Sequence, residues 1–149
     1  MTTMLKFDRD PDELRDISDP LTADASDLQR MLLRQNVRLT ICGQTVLEGH
    51  MSLMLMCFGA LDLVEKLESG AEESLEIPEG ALRLEFERRG ASVTVRETYF
   101  DTAGTTQYEE LAAAWRRFAV EARAYLLEEF PGLAEHPEVG PWFAEDITS

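Results

Sequence analysis

The chain has 149 residues and carries 29 acidic side chains against 14 basic ones, a formal charge of −15 at pH 7. This length suits one domain, 1–149, with its own core, and a composition of 44 % hydrophobic and 29 % charged residues argues against disorder. A negative excess of this size repels nucleic acid and attracts basic surfaces. The composition therefore disfavours a nucleic-acid binder and favours contact with a basic protein.

Cysteine usage and hydropathy indicate the compartment. Cys42 and Cys57 lie among apolar neighbours without metal-ligand spacing, which fits reduced thiols better than a disulfide framework. The N-terminus meets acidic residues before any apolar run develops, and the apolar stretch 51–61 is too short to span a bilayer. We expect a cytoplasmic protein without membrane contact.

Residues 1–35 are predicted to form an N-terminal appendage. Met4, Leu5 and Phe7 form a short strand or pack against the body of the domain, and an acidic loop with two prolines follows. Five aspartates of this loop have the spacing of calcium-loop ligands: Asp8, Asp10, Asp12, Asp16 and Asp19. Glu13 replaces the glycine that the turn of such a loop requires, so we predict a solvated acidic loop and no metal site.

The next segment predicts a hairpin followed by a buried helix. Residues 37–41 alternate between apolar and polar side chains, as in a half-buried strand. Gly43-Gln44 is the predicted turn, and 45–47 is the returning strand. The run 51–68 is apolar nearly all round in its first half, which is typical of a central helix.

A second β unit is predicted from three alternating segments. Residues 75–77, 82–87 and 93–96 each alternate apolar with polar side chains, and Pro78–Gly80 and Arg89-Gly90 supply the turns. This pattern predicts a three-stranded meander with one solvated face.

A long amphipathic helix is predicted next. Thr106–Glu109 has the capping-box pattern, and an apolar stripe recurs at helical spacing through Tyr108, Leu111, Trp115, Phe118, Ala122 and Tyr125. Pro131-Gly132 ends the helix, and 131–149 is predicted to be an acidic tail. The predicted fold class is α+β: an antiparallel sheet of about five strands, the hairpin plus the meander, packed on one face by two long helices.

The titratable residues do not form a catalytic motif. His50 has Glu48 nearby for an acid–base pair, but we favour a locally hydrogen-bonded residue at the helix entrance. A nucleophile pair of Cys57 with His50 is disfavoured, since a thiol in an apolar run is usually inert. His136 lies in another element. We predict no catalytic residue, no cofactor and no enzyme activity.

Glu97 supports an alternative function. If the alternation of Val93 and Val95 continues, Glu97 and Tyr99 face the core side of the sheet, and a buried carboxylate marks functional sites more often than chance. A twisted or bulged strand end would expose Glu97, and we favour that orientation. The alternative is a small-ligand-binding or catalytic domain, in which His50, Glu97 and Tyr99 line a cavity between sheet and helices.

The C-terminal aromatics Trp142 and Phe143 have two interpretations. They fold back onto the core, which we favour, or they form an exposed anchor among acidic side chains. Together with the wet face of the meander, they define the predicted partner-binding set: Glu85, Glu87, Glu138, Trp142, Phe143, Glu145 and Asp146.

In layout the chain resembles the small immunity proteins of bacterial polymorphic-toxin systems. The segments that carry the resemblance are the hairpin VRLTICGQTVLEG, the apolar helix MSLMLMCFGALDLVEKL, the meander LRLEFERRGASVTVRE and the helix YEELAAAWRRFAVEARAYL. The resemblance implies a cytoplasmic, acidic α+β domain that binds and blocks one toxin domain. It carries no residue-level site.

The leading hypothesis is a non-enzymatic immunity or antitoxin protein. It would neutralise a basic toxin domain, a nuclease or a deaminase, by occluding its active site, and would itself be a monomer or a weak homodimer. A third hypothesis is a structural subunit or adaptor that pairs with itself through the edge of the meander.

Overall fold

Two antiparallel sheets make up the β structure of the computed structural model, which describes residues 3–14, 22–30, 33–77 and 82–144. The first sheet has the order β1-β2-β3 and the second β4-β5-β6-β7. The strands are β1 (Thr3–Phe7), β2 (Arg34–Ile41), β3 (Gln44–Ser52), β4 (Glu72–Ile77), β5 (Leu82–Arg89), β6 (Ser92–Glu97) and β7 (Thr102–Gln107). The predicted α+β class is confirmed, whereas the single five-stranded sheet is wrong.

Helices connect and cover the sheets. They are α1 (Pro11–Leu14), α2 (Ala25–Arg30), α3 (Ala60–Lys66), α4 (Tyr108–Glu129) and α5 (Gly140–Ala144), with a π-helical turn at Leu55–Gly59 and a 3₁₀ turn at Pro131–Glu135. Within the part of the chain that the structure describes, no helix is both long and apolar enough to cross a membrane.

The predicted hairpin is confirmed, with its turn shifted by one residue. Ile41 pairs with Gln44, so Cys42 and Gly43 form a two-residue loop. Both have positive φ, 53° and 81°, as a type I′ turn requires. β1 adds to the other edge of β2, where Leu5 pairs with Leu39. The described N-terminal residues thus belong to the folded body rather than to an appendage.

The meander has a fourth strand, β7, which was not predicted because its sequence TAGTTQ has no alternating apolar pattern. In its centre Gly104 pairs with Val95. A Cβ atom at Gly104 would lie 2.8 Å from the Cβ of Ile41, so glycine allows the second sheet to approach the first. The Thr102 hydroxyl donates to the Val46 carbonyl at 2.6 Å across the same junction.

The central helix is shorter than predicted and interrupted. Met51 and Ser52 extend β3, because they pair with Gln35 and Arg34. The helical run 53–66 then contains the π-helical turn, where the Ala60 N–H bonds the carbonyl of Leu55, five residues back. The helix predicted over 51–68 is therefore helical over 53–66 and interrupted by the π-helical turn. Among the described residues, α4 is the one long α-helix.

Helix α4 packs over the core with its apolar stripe buried. Trp115 is fully buried, its indole donates to the Met56 carbonyl at 2.8 Å, and its ring meets Phe86 of β5 edge-on at 5.8 Å. The predicted capping box does not form. Thr106 lies within β7, where it pairs with Val93 of β6, and its hydroxyl donates to the Glu110 carboxylate.

The described part of the predicted tail also belongs to the core. Leu133 and Val139 are fully buried. His136 fastens this segment to the start of α2, because its Nε2 lies 2.6 Å from the Ala23 carbonyl and its Nδ1 accepts the Glu138 N–H at 3.0 Å.

Candidate functional site

The outer face of the four-stranded sheet carries two of the predicted acidic partner-binding residues, Glu85 and Glu87. Along β5, Leu84 and Phe86 point into the core, while Glu85 and Glu87 point outward. We call the outward carboxylates the acidic face: Glu72, Glu76, Glu85 and Glu87. A cleft of about 390 Å³ on this sheet is lined by Glu72, Glu73, Ser74, Arg83, Glu85, Phe86 and Glu87.

Charge on the acidic face is only partly compensated. Glu87 pairs with Arg89 at 2.6 Å, whereas Glu85 lies 3.9 Å from Arg83. Glu72 stands directly opposite Glu87 in the β4–β5 register, and it forms no ion pair among the described residues. Like charges in directly opposed positions destabilise a sheet. Glu72 is therefore a carboxylate of this face that no ion pair of the described residues stabilises.

The described C-terminal members of the predicted partner surface contact the body of the fold. Phe143 is only 7 % exposed, and both Phe143 and Trp142 pack on Phe58, with ring centroids 5.4 and 5.5 Å apart. Glu138 accepts the backbone N–H of Ala25 at 3.1 Å at the start of α2. The structure thus shows that both rings fold back, as favoured, and that they do not form an exposed anchor. The partner-binding assignment of Trp142 and Phe143 stays a prediction. Glu145 and Asp146 lie outside the described residues.

Glu97 is buried, contrary to the favoured expectation. It is 1 % exposed and continues the inward alternation of Val93 and Val95, because β6 pairs with β5 and β7 without a bulge up to this residue. Its carboxylate accepts the backbone N–H groups of Tyr99 at 2.6 Å and Phe100 at 2.8 Å. The charge is therefore satisfied inside the turn that links β6 to β7.

That turn presents two neighbouring aromatic side chains to solvent. Tyr99 is 65 % exposed and Phe100 is 68 % exposed, and their rings meet edge-on with centroids 4.8 Å apart. We call this pair the aromatic tip. The sequence prediction considered Tyr99 only as a core-facing residue and missed Phe100; the available signal was an aromatic pair just after the end of the predicted strand 93–96.

A groove of about 400 Å³ lies beside the aromatic tip. It is lined by Arg34, Gly49, His50, Ile77, Leu82, Tyr99 and Phe100. The structure thus brings His50 and Tyr99 of the predicted ligand set together. Glu97 does not join them, because its carboxylate is bonded to the turn amides.

His50 is held by the N-terminal acidic segment. Its Nδ1 lies 2.5 Å from the Glu13 carboxylate, whose other oxygen accepts from the buried Gln35 side chain at 3.1 Å. His50 lies in β3 rather than at a helix entrance, so the favoured interpretation of its position is wrong. Glu48 pairs instead with Arg38, whose guanidinium holds the pKa of that carboxyl below its usual range.

Other candidate chemistry is accounted for by packing. Cys57 is buried, and its thiol donates to the Ala119 carbonyl at 3.2 Å. Burial raises the pKa of Cys57 to about 12, so the thiol does not pair with the exposed His50 as a nucleophile. Asp10 caps α1 by accepting the N–H groups of Asp12 and Glu13. In the ranges that the structure describes, no three His, Cys, Asp or Glu side chains gather as a metal site.

The chain was compared with protein families, curated proteins and solved structures. No family model, no curated protein and no solved structure matches it. The resemblance to immunity proteins stays a prediction.

Proposed function

We propose that this protein is a non-enzymatic binding module that neutralises a basic toxin domain, a nuclease or a deaminase, by covering its active site. The single observation that carries the proposal is the acidic face. Its carboxylates are arranged on rigid strands, with Glu72 and Glu87 opposed to each other at a cost to stability. A net charge of −15 adds a long-range field of the same sign.

Charge complementarity supplies the mechanism. A domain that acts on nucleic acid must present Lys and Arg side chains to hold phosphates. Carboxylates fixed on a sheet can occupy the same basic cleft and exclude the substrate. The negative field would also steer encounter, so association should be fast and should slow as salt increases.

The proposal is tested with the protein encoded by the neighbouring gene as the toxin. We would measure its affinity at about 0.15 M ionic strength and the growth of cells that express both proteins. The variant Glu85→Lys/Glu87→Lys should weaken binding at least about tenfold and abolish protection, since it reverses two charges at the contact. Circular dichroism would verify that the variant is folded.

The matched control is Glu121→Lys/Glu128→Lys, which makes the same change of charge at exposed positions of α4. This control should lose much less affinity, because only the long-range field changes. Equal losses for both variants would show that net charge alone is responsible. Full protection by the acidic-face variant would refute the proposal.

The groove supports a second candidate, small-ligand binding, because His50 and Tyr99 line it together. Binding of a small polar metabolite to the wild type but not to His50→Ala, measured by calorimetry, would favour it. The geometry supports it less well, since the third polar group of that set, Glu97, is engaged in the turn.

A further inference from the structure

The aromatic tip is the feature that neither the fold nor the acidic face explains. Most large apolar side chains of the described residues are buried or half-buried; those exposed are Tyr99, Phe100 and, to a smaller extent, Met4 at 43 %. Scattered single exposed residues are ordinary. Two adjacent aromatic rings, each about two-thirds exposed, are the kind of group that dominates binding energy at protein interfaces.

The backbone that carries the tip is held rigidly. The buried Glu97 carboxylate bonds both tip amides, and the Thr98 N–H donates to the Arg83 carbonyl at 3.0 Å. Asp101 has a φ of 54°, a conformation that costs energy for a residue other than glycine. Its carboxylate accepts from Arg96 at 2.7 Å. A turn fixed in this way presents its rings with little ordering left to do on binding.

We propose that the aromatic tip is the anchor for the basic partner and that an arginine of the partner stacks on the exposed ring faces. This inference rests on the proposed function, because a basic partner is what the charge of the chain complements. Aromatic faces attract guanidinium groups. The fold already uses this contact, since Arg88 stacks on Tyr108 with its guanidinium carbon 4.3 Å from the ring centroid. None of the described arginines stacks on the tip.

Charge argues against the other occupants. A second copy of the chain would bring together two molecules of charge −15 each, and nucleic acid would be repelled for the same reason. A cationic protein segment gains from the same field. The carboxylates of β5 lie on the sheet from which the tip extends, so an interface of ordinary size, about 800 Å² per partner, can include both features.

The test uses oligo-arginine and oligo-lysine peptides of equal length as probes. Bulk electrostatics treats the two alike, whereas stacking favours the planar guanidinium. Wild-type protein should bind oligo-arginine more tightly by about two- to fivefold per engaged ring. Nuclear magnetic resonance should show the largest shifts at residues 99–101 with oligo-arginine.

Two variants isolate the tip. Tyr99→Ala/Phe100→Ala should lose the preference for arginine. It should bind both peptides with the affinity that the wild type has for oligo-lysine. Met4→Ala, which removes an exposed apolar side chain from β1, should keep the preference. Both variants remove exposed groups, so the midpoint of urea unfolding of each variant should lie near that of the wild type.

The outcomes separate this inference from the proposed function. A preference for arginine that persists in Tyr99→Ala/Phe100→Ala, or that is missing in wild type, would overturn the inference. A dimer seen by sedimentation and dissociated by the same variant would also overturn it, because the tip would then be a contact between copies. If the preference for arginine depends on the tip but Glu85→Lys/Glu87→Lys leaves toxin binding unchanged, the proposed function fails and the stacking site is retained.

Discussion

Replacement of Glu97 probes the most unusual side chain of the structure. Its carboxylate is 1 % exposed and bonds the amides of Tyr99 and Phe100 at 2.6 and 2.8 Å. Glu97→Ala removes both acceptors and leaves a small void. Glu97→Gln keeps one acceptor oxygen and places an amide NH₂ against the other N–H.

The size of the effect follows from these contacts. Each hydrogen bond to a charged group contributes about 1.5–3 kcal/mol, so two bonds set an upper range of about 3–6 kcal/mol. Tyr99 and Phe100 are exposed residues, and water replaces part of the lost bonding. We therefore expect Glu97→Ala to lower the free energy of unfolding by about 2–3 kcal/mol and Glu97→Gln to lower it by about 1 kcal/mol.

Urea unfolding followed by circular dichroism measures these losses, and hydrogen exchange measures where they arise. The amides of Tyr99 and Phe100 should lose their protection first, since local opening of the turn no longer breaks a bond to a carboxylate. Glu85→Gln, at a half-buried, outward-pointing position on the neighbouring strand, is the control. A Glu97→Ala protein as stable as this control would refute the reasoning.

Three further predictions concern thiols, the sheet junction and the acidic face. At a pH of about 8, a thiol reagent should label Cys42 in native protein and Cys57 only after denaturation, because burial raises the pKa of Cys57 to about 12; rapid native labelling of both would contradict this. Gly104→Ala should cost about 1–3 kcal/mol in urea unfolding, since the added methyl lies 2.8 Å from a side chain of the β2–β3 hairpin; unchanged stability would show that the junction can yield. Glu72→Lys should raise stability by about 0.2–1 kcal/mol, because it removes the repulsion from Glu87, and a loss in thermal unfolding would argue against that repulsion.

Alternation and helical spacing were reliable where they were long. The inward side chains of β2, β5 and β6 and the stripe of α4 lie where their patterns place them. These patterns depend on one buried surface per element, which a single sequence shows directly. The acidic outer face also follows from the alternation, including Glu85 and Glu87.

The strand and helix predictions that were wrong share one cause. β7 is a strand because it pairs with β6 and lies against the first hairpin at Gly104, although threonine, alanine and glycine form no alternating apolar pattern. The central run was expected to be helical from residue 51, but pairing with β2 extends β3 to Ser52. In both places pairing with another strand decided the structure over local propensity.

For the candidate site, the residue types were visible and their arrangement was not. In the sequence Glu97 is a carboxylate at a strand end. Its burial is compensated only by the following turn, whose two amides donate hydrogen bonds to it. Phe143 is buried because Phe58 lies beside it, and no periodicity of the C-terminal segment indicates that contact.

The sequence by itself determined the net charge, the class of fold, and the positions of the main strands and of α4. These properties follow from composition and from patterns among nearby residues. The division into two sheets, the burial of Glu97 and the exposure of the aromatic tip were decided only by tertiary structure. The physical reason is that burial and pairing depend on which surfaces meet, and contacts between distant segments set that choice.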